Sequence, residues 1–290
     1  MKSRLTGLHL YPLKSAAAFS VHHADLDSIG LVGDRRWMLV DLQGKPLTQR
    51  ELPRLARLHA IPATAGGLAI VALGMPVLQF DVPGPEAPVV PTVLHGRPAE
   101  GKLTDSASEA DWLTDFLETP CRLLYVPSSL ARPVAAPWGR EHDRTAFTDG
   151  FPVLLIGEGS LAELNDRLDR QVPMDRFRPN LVVSGTEPFE EDRWLRVRIG
   201  QLEFRVVKPC PRCTVITIDQ ATGEKDPEGE PLSTLATFRK HEGKVWFGMN
   251  LVHEVAGRLS LGDPVEAVSY THLTLPTTGH GCRCRGWPCQ

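Results

Sequence analysis

The chain has 290 residues, 42% of them hydrophobic and 23% charged, which fits a globular protein of one large or two ordinary domains and excludes wholesale disorder. Its 32 Lys and Arg against 35 Asp and Glu leave a net charge of −3, so a protein built mainly to bind nucleic acid is excluded and only a local basic pocket stays compatible. No apolar run is long enough to span a bilayer, and the alternating start MKSRLTGLHLYPLK reads as a first strand rather than a signal peptide, so a cytoplasmic protein without membrane attachment is expected.

In chain order, HLYPL, HHADLDSI and RRWMLVDLQGKPLT are strand-like, the last as a hairpin turning at Gln43 and Gly44. LAIVAL, VLQFDV and VVPTVLHG follow, separated by turn signals such as Pro83-Gly84-Pro85. Ser106 with Glu109 marks the start of a helix whose apolar stripe is Trp112, Leu113, Phe116 and Leu117. The Pro-rich stretch 126–138 reads as a domain junction. Beyond it come a strand at PVLLIG, a helix with Ser160 as its cap and Glu163 as the capping partner, and strands at NLVVSG, WLRVRI, LEFRVV and TVITID. The fold class is therefore mainly β with a few helices (α+β), in two barrel-like parts. Neither GxGxxG after a strand nor a phosphate-binding GKS or GKT occurs, which removes nucleotide folds from consideration.

The strand, Gly-Asp turn and strand of GRLSLGDPVEAV end the periodic part of the chain. The following residues, 269–290, have no strand or helix period, and SYTHLTLPT resembles translated sequencing-adapter sequence. They are set aside as a non-native tail, which leaves open a different natural continuation beyond residue 268 and a net charge of −5 for the remainder. Cys282, Cys284 and Cys289 lie in this tail and do not match common zinc spacings. Deleting residues 269–290 is expected to leave the melting temperature and the cofactor content nearly unchanged; a large fall in either, by calorimetry or metal analysis, would place the tail in the fold.

The most informative stretch is FRVVKPCPRCTVITIDQATG, residues 204–223. Lys208 and Arg212 flank the two thiols of Cys210 and Cys213, and nearby cations favour the thiolate, the metal-binding form. Pro209 and Pro211 remove two N–H donors, so an exposed loop is expected here. A zinc site would need a second pair of ligands, and a thioredoxin-type pair would open a helix where β-branched TVITI stands instead. Two buried structural thiols are the plain alternative. The histidines at 22, 23, 142 and 241 show no ligand spacing.

With YPLKS at 11–15, GDRRWMLV at 33–40, RFRPNLVVSG at 176–185, then KPCPRCTVITIDQATG, EPLSTLATFR, VWFGMNLV and a closing GDPV, the chain resembles the MOSC family over residues 4–268. It is most similar to the amidoxime-reducing branch and its bacterial relatives. The resemblance implies an N-terminal barrel-like β domain over 1–125, a linker over 126–138 and a MOSC β-barrel domain over 139–268. It implies a molybdenum cofactor with Cys213 as metal ligand and catalytic centre, and Lys14, Ser15, Arg35, Arg178, Asn180 and Arg212 as cofactor-binding residues. Those types suit an anionic pterin phosphate, since a guanidinium grips phosphate with paired bonds and an Asn amide can both donate and accept.

Arg36 is expected to face away from Arg35, Arg176 to form an ion pair with a carboxylate such as Asp175, and Asn250 either to approach the site or to sit in a turn. The implied activity is reduction of a small N-hydroxylated substrate, with electrons from a separate donor protein of flavin, haem or iron–sulfur type. Two other classes stay in play. One is a cofactor-binding or sulfur-carrier module, although the pyridoxal-phosphate domain that generates sulfur in cofactor sulfurases has no room here. The other is a zinc-stabilised structural protein.

Overall fold

The computed structural model describes residues 2–104 and 107–269. The Ser106 cap and nearly all of the tail fall outside them; Ser269 itself closes the last strand, Val265–Ser269.

Mostly antiparallel strands dominate, with three α-helices among the described residues. The largest sheet has nine strands. Its order runs Phe19–Ser20, Arg4–Leu10, Leu181–Ser184, Val153–Gly157, Lys244–His253, Leu202–Arg212, Trp194–Ile199 and Val265–Ser269, with Lys240–His241 added beside Lys244–His253. The two ends of this order also meet. Leu5 N–H donates to the Asp263 carbonyl at 2.9 Å and Val265 N–H to the Ser3 carbonyl at 2.9 Å, which closes the sheet on itself. Inside lie Leu5, Leu155, Phe204, Leu251 and Leu259, each fully buried and each contributing roughly 1.5–3 kcal/mol of apolar burial. Gly7 is required where Arg4–Leu10 crosses Leu181–Ser184, because a Cβ there would stand 2.8 Å from the Val182 side chain.

The first 31 residues thus serve the C-terminal barrel: Arg4–Leu10 pairs with Leu181–Ser184, and His23–Asp27 with Gly257–Ser260. Residues 37–125 build the second part. Trp37–Val40, Arg122–Tyr125, Arg97–Leu103 and Val89–Leu94 form a four-stranded sheet, and His59–Pro62, Leu68–Val71 and Leu78–Phe80 a three-stranded one. The expected turn after Val40 is present, with Gly44 at φ 84° and the Asp41 carboxylate accepting from Gln43 and Lys45 N–H groups. Helix α1, Ala107–Leu117, buries Trp112, Leu113, Phe116 and Leu117, as its spacing predicts. The strand Arg97–Leu103 is a finding: RPAEGKL carries no β-rich signal and is held by its hairpin with Val89–Leu94.

Three local expectations are corrected. Helix α2, Glu158–Asn165, is capped at Gly157, not Ser160. Ser160 is fully buried in the first turn, donates to the Glu191 carboxylate at 2.7 Å and accepts from Phe189 N–H at 2.8 Å. Glu191 also accepts Gly157 N–H at 3.1 Å, so a buried carboxylate from a distant turn satisfies the helix start, and its burial raises its pKa.

TVITID, expected as a strand, is a 3₁₀ turn over Thr214–Thr217. Ile216 N–H returns to the Cys213 carbonyl, Thr217 Oγ1 donates to the Thr214 carbonyl, and Ile216 packs with Phe177, Leu235 and Phe247. Burial of Ile216 outweighs the strand preference of the β-branched run.

Pro209 and Pro211, expected in an exposed loop, lie inside the strand Leu202–Arg212, paired with Lys244–His253. Trp194–Ile199 covers the other edge only from Leu202 to Arg205, so the prolines need no donor there. The pairing also slips register between Val206 and Lys208 and between Pro209 and Pro211. Proline is tolerated at such bulges and edges.

Candidate functional site

The strand Leu202–Arg212 and the 3₁₀ turn behind it deliver Cys210, Arg212 and Cys213 to one cavity of about 140 Å³. The segment after Arg4–Leu10 brings Lys14, Ser15 and Arg35, and the turn before Leu181–Ser184 brings Arg178 and Asn180. Every residue singled out by sequence for cofactor binding therefore lines the same space. Ser15, Arg35 and Arg178 have φ of 68°, 46° and 54°. Three non-glycine residues in the left-handed region within one wall mark a site where local strain is held by its surroundings.

Tyr11 organises this wall. Its ring lies between the guanidinium carbons of Arg35, 4.2 Å from the centroid, and Arg178, 4.3 Å away. The buried Tyr11 hydroxyl donates to the Pro179 carbonyl at 3.1 Å, and burial raises its pKa. Two like charges are thus held on opposite faces of one π-system. Arg35 is neutralised by buried Asp34 at 2.7 Å and donates to Asn180 Oδ1 at 3.0 Å. Arg178 pairs with no carboxylate among the described residues; it donates to the Ala16 carbonyl at 2.6 Å and to Gln220. Burial lowers its pKa to about 10, with Tyr11 opposing.

Lys14 is buried and donates to the Phe147 carbonyl at 2.9 Å and to Asp149 at the cavity mouth. Burial lowers the Lys14 pKa and Asp149 opposes that shift. Burial alone would raise the Asp149 pKa, but Lys14 and His95, whose Nε2 stands 3.0 Å away, hold it well below the carboxylate range. The lining counts six cations, Lys14, Arg35, Arg50, Arg176, Arg178 and Arg212, against one carboxylate, Asp149. The net chain charge is negative, so this excess is local, and it selects an anion.

Asn180 is held on all sides by protein groups. Its Oδ1 accepts from Leu154 N–H and Arg35, and its Nδ2 donates to the His9 carbonyl and Asp34. All four of its hydrogen-bonding positions are taken by protein, so it holds Arg35 at the cavity wall. Arg212 spends Nε and both terminal nitrogens on the carbonyls of Phe247 and Phe177, which pins the walls together. Gly248 makes that possible: at φ +74° it lies so close to its neighbour that a Cβ would stand 2.6 Å from Ile156 Cγ1.

Lys208, expected beside the thiols, lies over the Trp138 ring and is absent from the cavity lining. Arg36 does face away, onto Asp27 at 2.8 Å. Arg176 pairs with Asp219 at 3.1 Å, not with Asp175. Asn250 sits within a strand, not a turn, and donates to the Lys208 and Pro209 carbonyls from the cavity wall.

The two cysteines are unequal. Both are half-buried and free. Burial pushes the Cys210 thiol pKa up, with Arg212 opposing, which disfavours its thiolate. Sequence reasoning missed Tyr11, Thr48, Arg50, Thr148 and Asp149; Arg50 and Asp149 carry no motif of their own and are recognised only by where the fold puts them. Among the described residues no group of three or more His, Cys, Asp or Glu converges, so a zinc-stabilised reading finds no ligand set there.

Comparison with known proteins bears on this arrangement. Residues 142–266 match the MOSC domain and residues 2–120 the MOSC N-terminal beta barrel domain. The mitochondrial amidoxime-reducing component 1 of Homo sapiens is 34% identical over 275 residues, 89% of this chain and 81% of that protein. The Danio rerio protein of the same name is 34% identical over 92% of this chain and 85% of its own length. A molybdenum cofactor sulfurase of Oryza sativa subsp. japonica is 33% identical over 86% of this chain but only 32% of its own length.

Proposed function

The chain belongs to the family of MOSC-domain proteins that includes the mitochondrial amidoxime-reducing components, and from that premise we propose that it is a molybdenum-cofactor oxidoreductase that reduces N-hydroxylated compounds, with Cys213 as the protein ligand to the metal. The observation that carries this reading is one cavity in which a sulfur ligand, Cys213, faces six cations and a single carboxylate.

The residues present fit such a group. A soft thiolate suits molybdenum, and the charge excess suits a pterin phosphate. Lys14, Ser15, Arg35 and Arg178 would hold the anion, with Arg212 adding charge from behind the walls. Lys14 would exchange Asp149 for the incoming phosphate, and Arg178 would gain the counter-ion it lacks. Asn180 and Tyr11 keep Arg35 and Arg178 at their places before any ligand arrives, so little ordering is needed on binding. When bound, the cofactor supplies two-electron oxygen-transfer chemistry; the protein positions it and excludes water. The net reaction takes an N–OH compound, two electrons and two protons to the N–H compound and water. A separate donor protein supplies the electrons.

The test is elemental analysis of the purified protein together with turnover of benzamidoxime by reduced viologen. Stoichiometric molybdenum with turnover is expected, and no oxidation of NADH or NADPH without an added reductase. Molybdenum without turnover would instead identify a carrier module.

A further inference from the structure

Five of the six cations around the cavity are committed to protein oxygens: Lys14 to Asp149, Arg35 to Asp34, Arg176 to Asp219, and Arg178 and Arg212 to main-chain carbonyls. Arg50 differs. It is exposed at the rim of the cavity that Cys213 also lines, and no protein oxygen engages its guanidinium among the described residues. A guanidinium stays charged at any working pH.

The root of this side chain is fixed. Arg50 N–H donates to Thr48 Oγ1 at 3.3 Å. The preceding residue, Gln49, is fully buried and donates to the Ser15 carbonyl at 2.8 Å and to Gln220 Oε1 at 3.0 Å, tying the segment to both sides of the cavity. A rigid root with an uncommitted tip is how a charge is presented to a visiting ligand. Beside it, Phe151, Pro211 and Val215 give the same cavity an apolar wall.

Resting on the function proposed above, we propose that Arg50 receives the oxygen of the substrate: its guanidinium donates hydrogen bonds to the N–O oxygen of an N-hydroxylated compound seated beside Cys213, and so selects that compound over its reduced product. As the N–O bond breaks, the substrate gains two electrons from the reductant; one proton goes to the nitrogen and the other to the departing hydroxyl, which leaves as water. Arg50 keeps its own proton and holds the oxygen while negative charge grows on it. The reduced amidine lacks that oxygen, so it loses the contact and is released.

The test separates this role from cofactor holding. Binding of benzamidoxime and of benzamidine to the oxidised molybdenum-loaded protein, without reductant, is measured by calorimetry. The unaltered protein is expected to prefer the amidoxime by about tenfold, the effect of one charge-assisted hydrogen bond. Arg50→Gln should erase that preference with molybdenum per chain unchanged, and lower kcat/KM with reduced viologen by about tenfold or more. Arg50→Lys should restore part of both, since a lysine can donate to the oxygen with one bond but not two.

Retention of the preference by Arg50→Gln overturns the proposal. So does a parallel loss of molybdenum, which would make Arg50 a cofactor-holding residue. An unaltered protein that binds no molybdenum, or binds it without reducing benzamidoxime, defeats the proposed function itself, and the substrate role with it.

Discussion

Cys213→Ser is expected to abolish N–O reduction, while Cys210→Ser keeps measurable activity. A serine hydroxyl is hard and stays protonated near neutral pH, so it is a poor substitute for a soft thiolate on molybdenum. The anion-holding wall does not depend on that sulfur: Lys14, Arg35 and Arg178 take their positions from Asp149, Asp34, Tyr11 and Ala16. The Cys213 variant should therefore retain some cofactor but fall in rate by at least about a thousandfold, equivalent to roughly 4 kcal/mol of barrier. Cys210 lies on the bulged strand among half-buried neighbours, and its burial disfavours the thiolate. Its replacement should cost only local repacking, within about threefold in rate. Molybdenum per chain and viologen-driven rate, taken side by side, decide the matter. Full activity in Cys213→Ser, or loss of activity with molybdenum retained in Cys210→Ser alone, sinks the ligand assignment.

The second large effect is on stability. Asn180→Ala removes an amide, buried to 1% exposure, that serves four partners. Leu154 N–H and the His9 carbonyl would be left without that partner, and Arg35 and Asp34 would each lose a bond. Each unsatisfied buried group costs about 1–3 kcal/mol, so a loss of about 3–5 kcal/mol is expected. For a domain this size that lowers Tm by on the order of 10 °C. Asn180→Asp keeps the shape but sets a second carboxylate beside Asp34, so it should do no better. A thermal scan reading less than about 1 kcal/mol for Asn180→Ala would show that water replaces the amide.

Much of the site was legible because its residues sit in local motifs. YPLKS, GDRR, RFRPN and CPRC each carry a charge or thiol beside a turn signal, and all four meet at the cavity. What was not legible depends on distant partners. Ser160 followed by Glu163 has the pattern of a capping box, but the carboxylate that satisfies the helix start is Glu191. TVITI has the composition of a strand, and only the pocket formed by Phe177, Leu235 and Phe247 turns it into a 3₁₀ turn. Pro209 and Pro211 argue against pairing until the bulges and the open edge beside them are known. Arg50 and Asp149 lie in ordinary polar stretches, and nothing nearby in sequence separates them from solvated charges.

The pairing of Arg4–Leu10 with Leu181–Ser184, and of His23–Asp27 with Gly257–Ser260, bears on the order of synthesis. A ribosome makes the first strand long before Leu181–Ser184 exists, and through about 170 residues only the two-residue strand Phe19–Ser20 can pair with it, roughly ten to thirty seconds of synthesis. Residues 37–125 close mainly on themselves and can fold during that wait. Arg35, however, gains its Asn180 and Arg178 contacts only once residues 178–180 are made, and the cavity wall is completed only when Arg212 can bond the Phe247 carbonyl. The cavity lining is therefore complete only after the strand Lys244–His253 has been made, so an anionic ligand would find its full set of cations only in the folded chain.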